Sequence, residues 1–295
     1  MLVFLLSTLL SGCIRDSDKT TDDISGDSNV DFDDRVNVGI GNGTGDNSNN
    51  NTDIDSGNQT GVDECTNPAE KGVILSFDDR KNIHSWNESR EYFNTRGVKA
   101  TFFVDNWGTI TDWEIEILRN LSLDGHEIGF HSTSHADYYD YLEQNLTAED
   151  YLEVEILPGL ESMKKRGFHP TSFAYPMGHR DVDLDKLILD HFSVIRGTRS
   201  NTDGSESWML KCEDLRVYRS FPLVVEGDSQ ERLEDKEYWT KFALNEVQNN
   251  SLTLIFNGHG VEGGGFSTSI ESLDKLIDEI ERLELPYLLI SILGE

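Results

Sequence analysis

From about Lys71 onward the chain alternates between two hydrophobic periods. Short runs rich in β-branched and aromatic residues occur at 73–77, 100–104, 127–130, 171–174, 193–196, 217–221, 252–257 and 287–292, and predict strands. Between several of them lie longer stretches with helical spacing, at 88–96, 112–124, 147–166, 183–190, 237–249 and 269–283. Thr147 and Asp150 resemble a capping box at the start of the third helix. Gly97, Gly125 and Gly167 follow helix ends, where a left-handed residue is wanted. Regular alternation of strand and helix implies a parallel sheet. Seven or eight such units in one domain favour an α/β fold of the distorted (β/α) barrel type over an open sheet. No internal repeat is visible.

The pattern stops upstream of this domain, whose boundaries are read as 69–295. Residues 14–68 are rich in Asp, Asn, Gly, Ser and Thr, and 14–65 hold 13 acidic residues against 3 basic ones. So little apolar surface cannot offset the entropy of ordering, and a disordered, self-repelling acidic linker is expected. Residues 1–13 read as an export signal. Met1 to Leu10 is apolar but too short to span a bilayer, and Leu10-Ser11-Gly12-Cys13 has the pattern of a lipobox. Cys13 would then carry lipid and hold the protein at the outer face of the cell membrane, with the linker as a tether. Export also permits a disulfide between Cys65 and Cys212, or leaves two free thiols. The net charge of −30 argues against nucleic acid as a partner, because polyphosphate would be repelled.

Polar residues with chemical potential fall just past the ends of predicted strands: Asp78 and Asp79, His131, Tyr175 and Pro176, and His259. In β/α barrels that end carries the active site. His131 and His135 are four residues apart, a spacing that places both imidazoles on one side of a helical turn. Two His and one Asp form a ligand set for a divalent metal with an open position. The second Asp is then left as a general base for a metal-bound water. This inventory points to metal-assisted hydrolysis.

The segments Ser76-Phe-Asp-Asp79, Val98-Lys-Ala-Thr-Phe-Phe-Val104, Gly125-His-Glu-Ile-Gly-Phe-His-Ser-Thr-Ser-His135, Phe173-Ala-Tyr-Pro-Met-Gly178 and Leu254-Ile-Phe-Asn-Gly-His259 resemble the polysaccharide deacetylase family, also called the NodB-homology domain or carbohydrate esterase family 4. The resemblance covers roughly residues 71–293. It implies a hydrolase that removes N-acetyl groups from amino sugars of an envelope or extracellular polysaccharide, with an acetylated glycan as partner. It implies that Asp79, His131 and His135 hold a divalent metal, zinc being the first candidate, and that Asp78 is the base. It further implies that His259 is the general acid toward the leaving amine and that the Met177 amide holds the developing oxyanion. Tyr175 and Pro176 would shape the pocket wall. Trp208 would be the pocket aromatic, in competition with Trp86 and Trp107.

The chain departs from the family pattern in places. Arg80 stands where Gly is common after the Asp pair, and Met177 where Tyr is usual. The Arg that orients the base in the third motif is replaced by Ala174, and Arg196 or Arg199 are the residues able to supply that charge from a later strand. His126 reads as structural and Ser132 as a cap or a support for the metal residues. These departures leave two alternatives open: hydrolysis of another amide or of an acetyl ester, and a glycan-binding surface module without turnover. The oligomeric state is not readable.

Overall fold

The computed structural model describes residues 71–198, 216–250, 252–263 and 265–295. Cys13, Cys65, Arg199, Trp208 and Cys212, with the segment 1–68, lie outside the described residues, and with them the expected anchor, tether and disulfide.

Among the described residues, seven parallel strands close into a barrel. They are β1 (Gly72–Asp78), β2 (Ala100–Val104), β3 (Glu127–Phe130), β4 (Ser172–Ala174), β5 (Val194–Thr198), β6 (Val217–Pro222) and β7 (Thr253–Gly258). Neighbours in sequence are neighbours in the ring, and β7 pairs with β1 to close it. A short β8 (Tyr287–Leu288) also pairs with β1. The distorted β/α barrel expected from the alternation is thus borne out. The ring is uneven. β1 and β7 run together from Gly72 to Phe77, whereas β3 and β4 share the single pair Phe130 and Phe173.

The connecting helices are α1 (Ile83–Glu88), α2 (Arg90–Thr95), α3 (Asp112–Leu123), α4 (Tyr138–Glu143), α5 (Ala148–Tyr151), α6 (Leu157–Lys165), α7 (Val182–Leu189), α8 (Gln230–Asn250) and α9 (Ile270–Arg282). The capping box of Thr147 and Asp150 is present, and Gly97, Gly125 and Gly167 all have positive φ. Three expectations need correction. The helix expected at 88–96 is present as α2, but it is preceded by an unexpected one, α1, which meets it at Ser89. The helix expected at 147–166 is interrupted by a π-helical turn, Leu152–Ile156, between α5 and α6. The last strand stops at Leu288, and the chain turns into a 3-10 segment, Ile290–Gly294. The short helix α4 carries no apolar stripe long enough to be read. It is set by its cap, where the Asp137 side chain accepts from the Tyr139 amide.

Every residue of β1 is buried, as expected for a parallel strand covered on both faces. On its outer face Phe77 packs with Phe93, Phe102 and the fully buried Trp86 beneath α1 and α2. Burial of each such ring contributes about 1.5–3 kcal/mol. A separate inner cluster is formed by Ile74, Phe103, Ala174, Val194, Tyr218 and Ile255, capped by Ile290 and Leu293 of the C-terminal turn. That turn is tied to the start of the strands: the Ser291 amide donates to Glu127 and the Tyr218 hydroxyl to the Leu293 carbonyl. The lumen is therefore closed at the strand starts by apolar packing. Towards the strand ends it becomes polar, with Asp78, Arg196, Ser220 and Asn257 on the same inward phase.

Candidate active site

The chain leaves β1 through Asp78 and Asp79, both buried. The Asp79 amide still donates to the Phe103 carbonyl of β2, which extends the ladder by one bond. Asp79 itself has φ 74° and ψ 123°, a conformation that non-glycine residues rarely adopt. The turn after it is pinned from outside. The Arg80 amide donates to Asp105 (2.6 Å), and its guanidinium forms a two-pronged bond to Glu114 (2.9 Å each) and reaches Thr109. Arg80, unexplained as a departure from the motif, is thus an anchor between the β1 turn and the segment after β2.

His131 follows β3 and is almost fully buried. Its Nδ1 lies 2.8 Å from the Ala174 carbonyl at the end of β4, across the seam where the strand ladder is thinnest. A carbonyl only accepts, so Nδ1 carries a proton, and in the neutral ring this leaves the lone pair on Nε2. That Nε2 lies 3.5 Å from Asp79 Oδ1, and His135 Nε2 lies 3.0 Å from the same oxygen. The three ligand atoms all fall within 4.8 Å of one another. The two imidazoles do not sit on a helical turn. They are joined by an irregular loop in which Ser132 (φ 71°) and His135 (φ 63°) are left-handed, and the Ser132 hydroxyl accepts from the His135 amide at 2.9 Å. Ser132 is thus a loop support.

The donor set fits a divalent cation. Asp79 Oδ1 is buried and, apart from the two imidazoles, without a hydrogen-bond partner among the described residues. It faces two ring nitrogens, and a cation between the three atoms would satisfy all of them. Burial pushes the Asp79 carboxyl up, but His131 and His135 outweigh it and hold the group well below the usual carboxylate range. Burial likewise opposes charge on His135, and Asp79 prevails and raises that imidazole. Two nitrogens and one carboxylate oxygen suit zinc and other first-row ions.

Asp78 points into the lumen. Arg196, wholly buried on β5, donates from Nη2 to Asp78 Oδ2 at 2.5 Å. Its Nη1 lies 3.3 Å from Ser220 Oγ, which is 2.9 Å from Asn257 Oδ1, and the guanidinium lies over the Phe103 ring at 5.2 Å from its centre. Asp78 Oδ1 is buried and has no hydrogen-bond partner among the described residues. Arg196, one of the two arginines considered for the missing motif charge, thus lies on the carboxylate, and Arg199 lies outside the described residues.

His259 follows β7 with Nε2 4.0 Å from Asp79 Oδ2. Its carbonyl accepts from the Trp86 indole at 2.7 Å, and its ring lies 5.9 Å from the exposed Phe266. Burial lowers the His259 value, against the pull of Asp78 and Asp79. Trp86 and Trp107 are both core residues, so neither lines a pocket with its face.

The turn after β4 differs from expectation. Tyr175 is 1% exposed, and its hydroxyl donates to buried Asp185 at 2.9 Å; Pro176 is buried too. As side chains they are parts of the interior and not of a pocket wall. Their effect is on the turn, where Met177 takes a left-handed conformation (φ 56°) with its side chain in solvent. Gly178 comes next at φ 78°, and a Cβ there would lie 1.8 Å from Thr198 Oγ1. Sequence reasoning passed over Asp105, Ser220, Asn257 and Glu155. Only Asn257 lies within a motif segment, and the Pro158-Gly159 pair inside a helical stretch marks the irregularity that presents Glu155.

Residues 66–191, less than half of the chain, match the family model described as polysaccharide deacetylase. A chitin deacetylase from Pestalotiopsis sp is 39% identical over 80 residues, which is 26% of this chain and 26% of that protein. The chain therefore spans about a quarter of the length of that curated relative. Among solved structures, the chitin deacetylase from Colletotrichum lindemuthianum is 17% identical, with a TM-score of 0.49 over 75% of this chain and 86% of that one. A family 4 acetyl xylan esterase from Clostridium thermocellum is 20% identical, with a TM-score of 0.48 over 75% and 89%. The stretch that bears Asp78, Asp79, His131, His135 and Met177 thus lies within the residues that match the polysaccharide deacetylase model.

Proposed function

We propose that this protein is a metal-dependent hydrolase that removes N-acetyl groups from amino sugars of an envelope or extracellular polysaccharide. The observation that carries the reading is the convergence of His131 Nε2 and His135 Nε2 on the unpartnered Asp79 Oδ1. Asp79, His131 and His135 would hold a divalent ion, zinc first among the candidates. When bound, the metal supplies a Lewis acid for the acetyl carbonyl and a water of lowered pKa.

The remaining roles belong to the chain. Asp78 is the base: Arg196 occupies Oδ2, which leaves Oδ1 to take a proton from the attacking water. The buried guanidinium also keeps this carboxylate oriented in a lumen that would otherwise disfavour its charge. The Met177 amide is the oxyanion donor. It lies on a turn that a left-handed backbone and Gly178 hold in one shape. His259 donates a proton to the departing amine, which leaves poorly without one. The short identity to a chitin deacetylase supports an amino-sugar substrate. The lipobox at Cys13 and the acidic tether support an exported protein held at the outer face of the membrane.

The test is acetate release from N-acetylated chitin oligomers, peptidoglycan fragments and O-acetylated xylan, with Asp78→Asn as control. Release from the N-acetylated substrates, reduced about 10²–10⁴-fold in the variant, is the expected result. Release from xylan alone replaces the amide reading with an ester reading. Bound zinc with no release from any substrate leaves a binding module.

A further inference from the structure

The loop that carries both metal-ligand histidines is built into the rod formed by α5, the π-helical turn and α6. In the π turn, the Leu157 amide reaches back five residues to the Leu152 carbonyl. Next comes Pro158, which has no amide proton to give to the ladder. Just here Thr133 enters the helix. Its amide donates to the Glu155 carbonyl at 2.7 Å, and its hydroxyl accepts from the Gly159 amide at 2.9 Å. The Glu155 carbonyl and the Gly159 amide are the two groups that would form one rung of an α-helix. Each of them reaches Thr133.

The Glu155 side chain secures the next residue. It is 3% exposed. Its Oε2 accepts from the Ser134 amide at 2.9 Å and its Oε1 from the Ser134 hydroxyl at 2.6 Å, with the Tyr141 hydroxyl 3.4 Å away. The extra residue of a π turn rotates the next helical segment about its axis, and such turns gather at functional sites. The close fit is enforced at Gly159, where a Cβ would lie 2.6 Å from Thr133 Oγ1 and 2.9 Å from the Phe130 ring. So the two residues between Ser132 and His135 are held by a backbone carbonyl, a backbone amide and a buried carboxylate. Both neighbours of that pair are in the left-handed region. Within the loop the Ser132 hydroxyl supports that conformation by accepting from the His135 amide, and the clamp holds the pair between them from outside.

We infer that Thr133 and Glu155 are positioning residues that set the spacing of His131 and His135, and thereby the metal affinity of the site. This rests on the metal-dependent reading of the site. Supports around ligands typically alter metal affinity about 10–100-fold. The histidines stay chemically intact in such variants, and only their placement changes.

The experiment uses the full chain with Thr133→Val and Glu155→Gln, and Glu153→Gln as an exposed control on the same turn. Zinc affinity is read by competition with a chromophoric chelator, the ligand field by the visible spectrum of the cobalt-substituted protein, and folding by the melting temperature of the metal-free form. Expected are zinc affinities about 10–100-fold weaker in Thr133→Val and Glu155→Gln, with a changed cobalt spectrum and an unchanged Glu153→Gln. A purely structural role would lower the metal-free melting temperature and leave affinity and spectrum alone. That result overturns the inference, and should Glu155→Gln fail to fold, Thr133→Val decides it. If the wild type takes up no divalent ion, or if His131→Ala binds zinc as tightly, the metal reading itself falls and takes the inference with it. Wild-type binding that His131→Ala abolishes and Thr133→Val leaves intact overturns the clamp alone.

Discussion

Arg196 Nη2 donates to Asp78 Oδ2 at 2.5 Å across the barrel, joining β5 to β1 inside the lumen. The arginine is fully buried and the carboxylate nearly so. Removing one partner of a buried pair leaves the other charge without compensation, at a cost of about 3–5 kcal/mol. Arg196→Met is therefore expected to lower the urea midpoint by an equivalent amount and to abolish acetate release. The double variant Asp78→Asn with Arg196→Met removes both charges and is expected to regain at least half of the lost stability. A double variant no more stable than the single one would show that the pair is not the source of the loss.

Metal removal is expected to be visible as stability. An ion that binds only the folded chain stabilises it by about 2.7 kcal/mol at a hundredfold excess over its dissociation constant. The melting temperature should fall on treatment with a chelator and return with zinc. In His135→Ala the chelator should make no difference, because the ligand set of Asp79, His131 and His135 is broken.

His126 gives stability a pH dependence away from the site. It packs edge-on against Phe93 and Phe102, and its Nδ1 accepts from the Ala100 amide. Burial, helped by Lys99 and opposed by Asp124, lowers its value to about 4. The unfolded chain, with an ordinary imidazole near 6.5, binds the extra proton between those values. Its contribution is thus complete above about pH 6.5 and is lost as pH falls towards 4, to a total of about 3 kcal/mol. Urea unfolding between pH 7.5 and 4.5 should show a steep fall in the wild type. The slope should be reduced in His126→Asn, which can still accept from the Ala100 amide but does not titrate.

Gly178 tests the oxyanion role proposed for the Met177 amide. Its positive φ and the closeness of Thr198 leave no room for a methyl group. Gly178→Ala should displace the Met177 amide and lower kcat by about 10²-fold, the effect of losing one oxyanion donor. Zinc affinity should hold, since none of the three ligands lies on this turn. Thr198→Ala removes the nearest obstacle, so pairing it with Gly178→Ala should restore part of the rate.

Much of the site was legible because its pieces are local. Asp78 and Asp79 stand side by side, and His131 and His135 lie within five residues of each other, all at the ends of apolar runs. Tyr175 misled because a strand-end position shows that a residue is near the mouth but not which way its ring turns. Its phenol found Asp185 in the interior. The helical turn expected for the two histidines failed for a related reason. Serine carries no signal for positive φ, and nothing in the loop's own sequence tells that Thr133 and Ser134 hydrogen-bond to a residue of a different helix.

Read alone, the chain determined the alternation of strand and helix, the order of the units and the residue types delivered to the strand ends, since periodicity and turn chemistry are properties of neighbouring residues. Only the tertiary structure decided that Arg196 faces Asp78, that Glu155 reaches Ser134 and that Ala174 fixes the tautomer of His131. Those pairings depend on how the ring closes and on the height at which each strand enters it, and a strand's twofold period leaves both open.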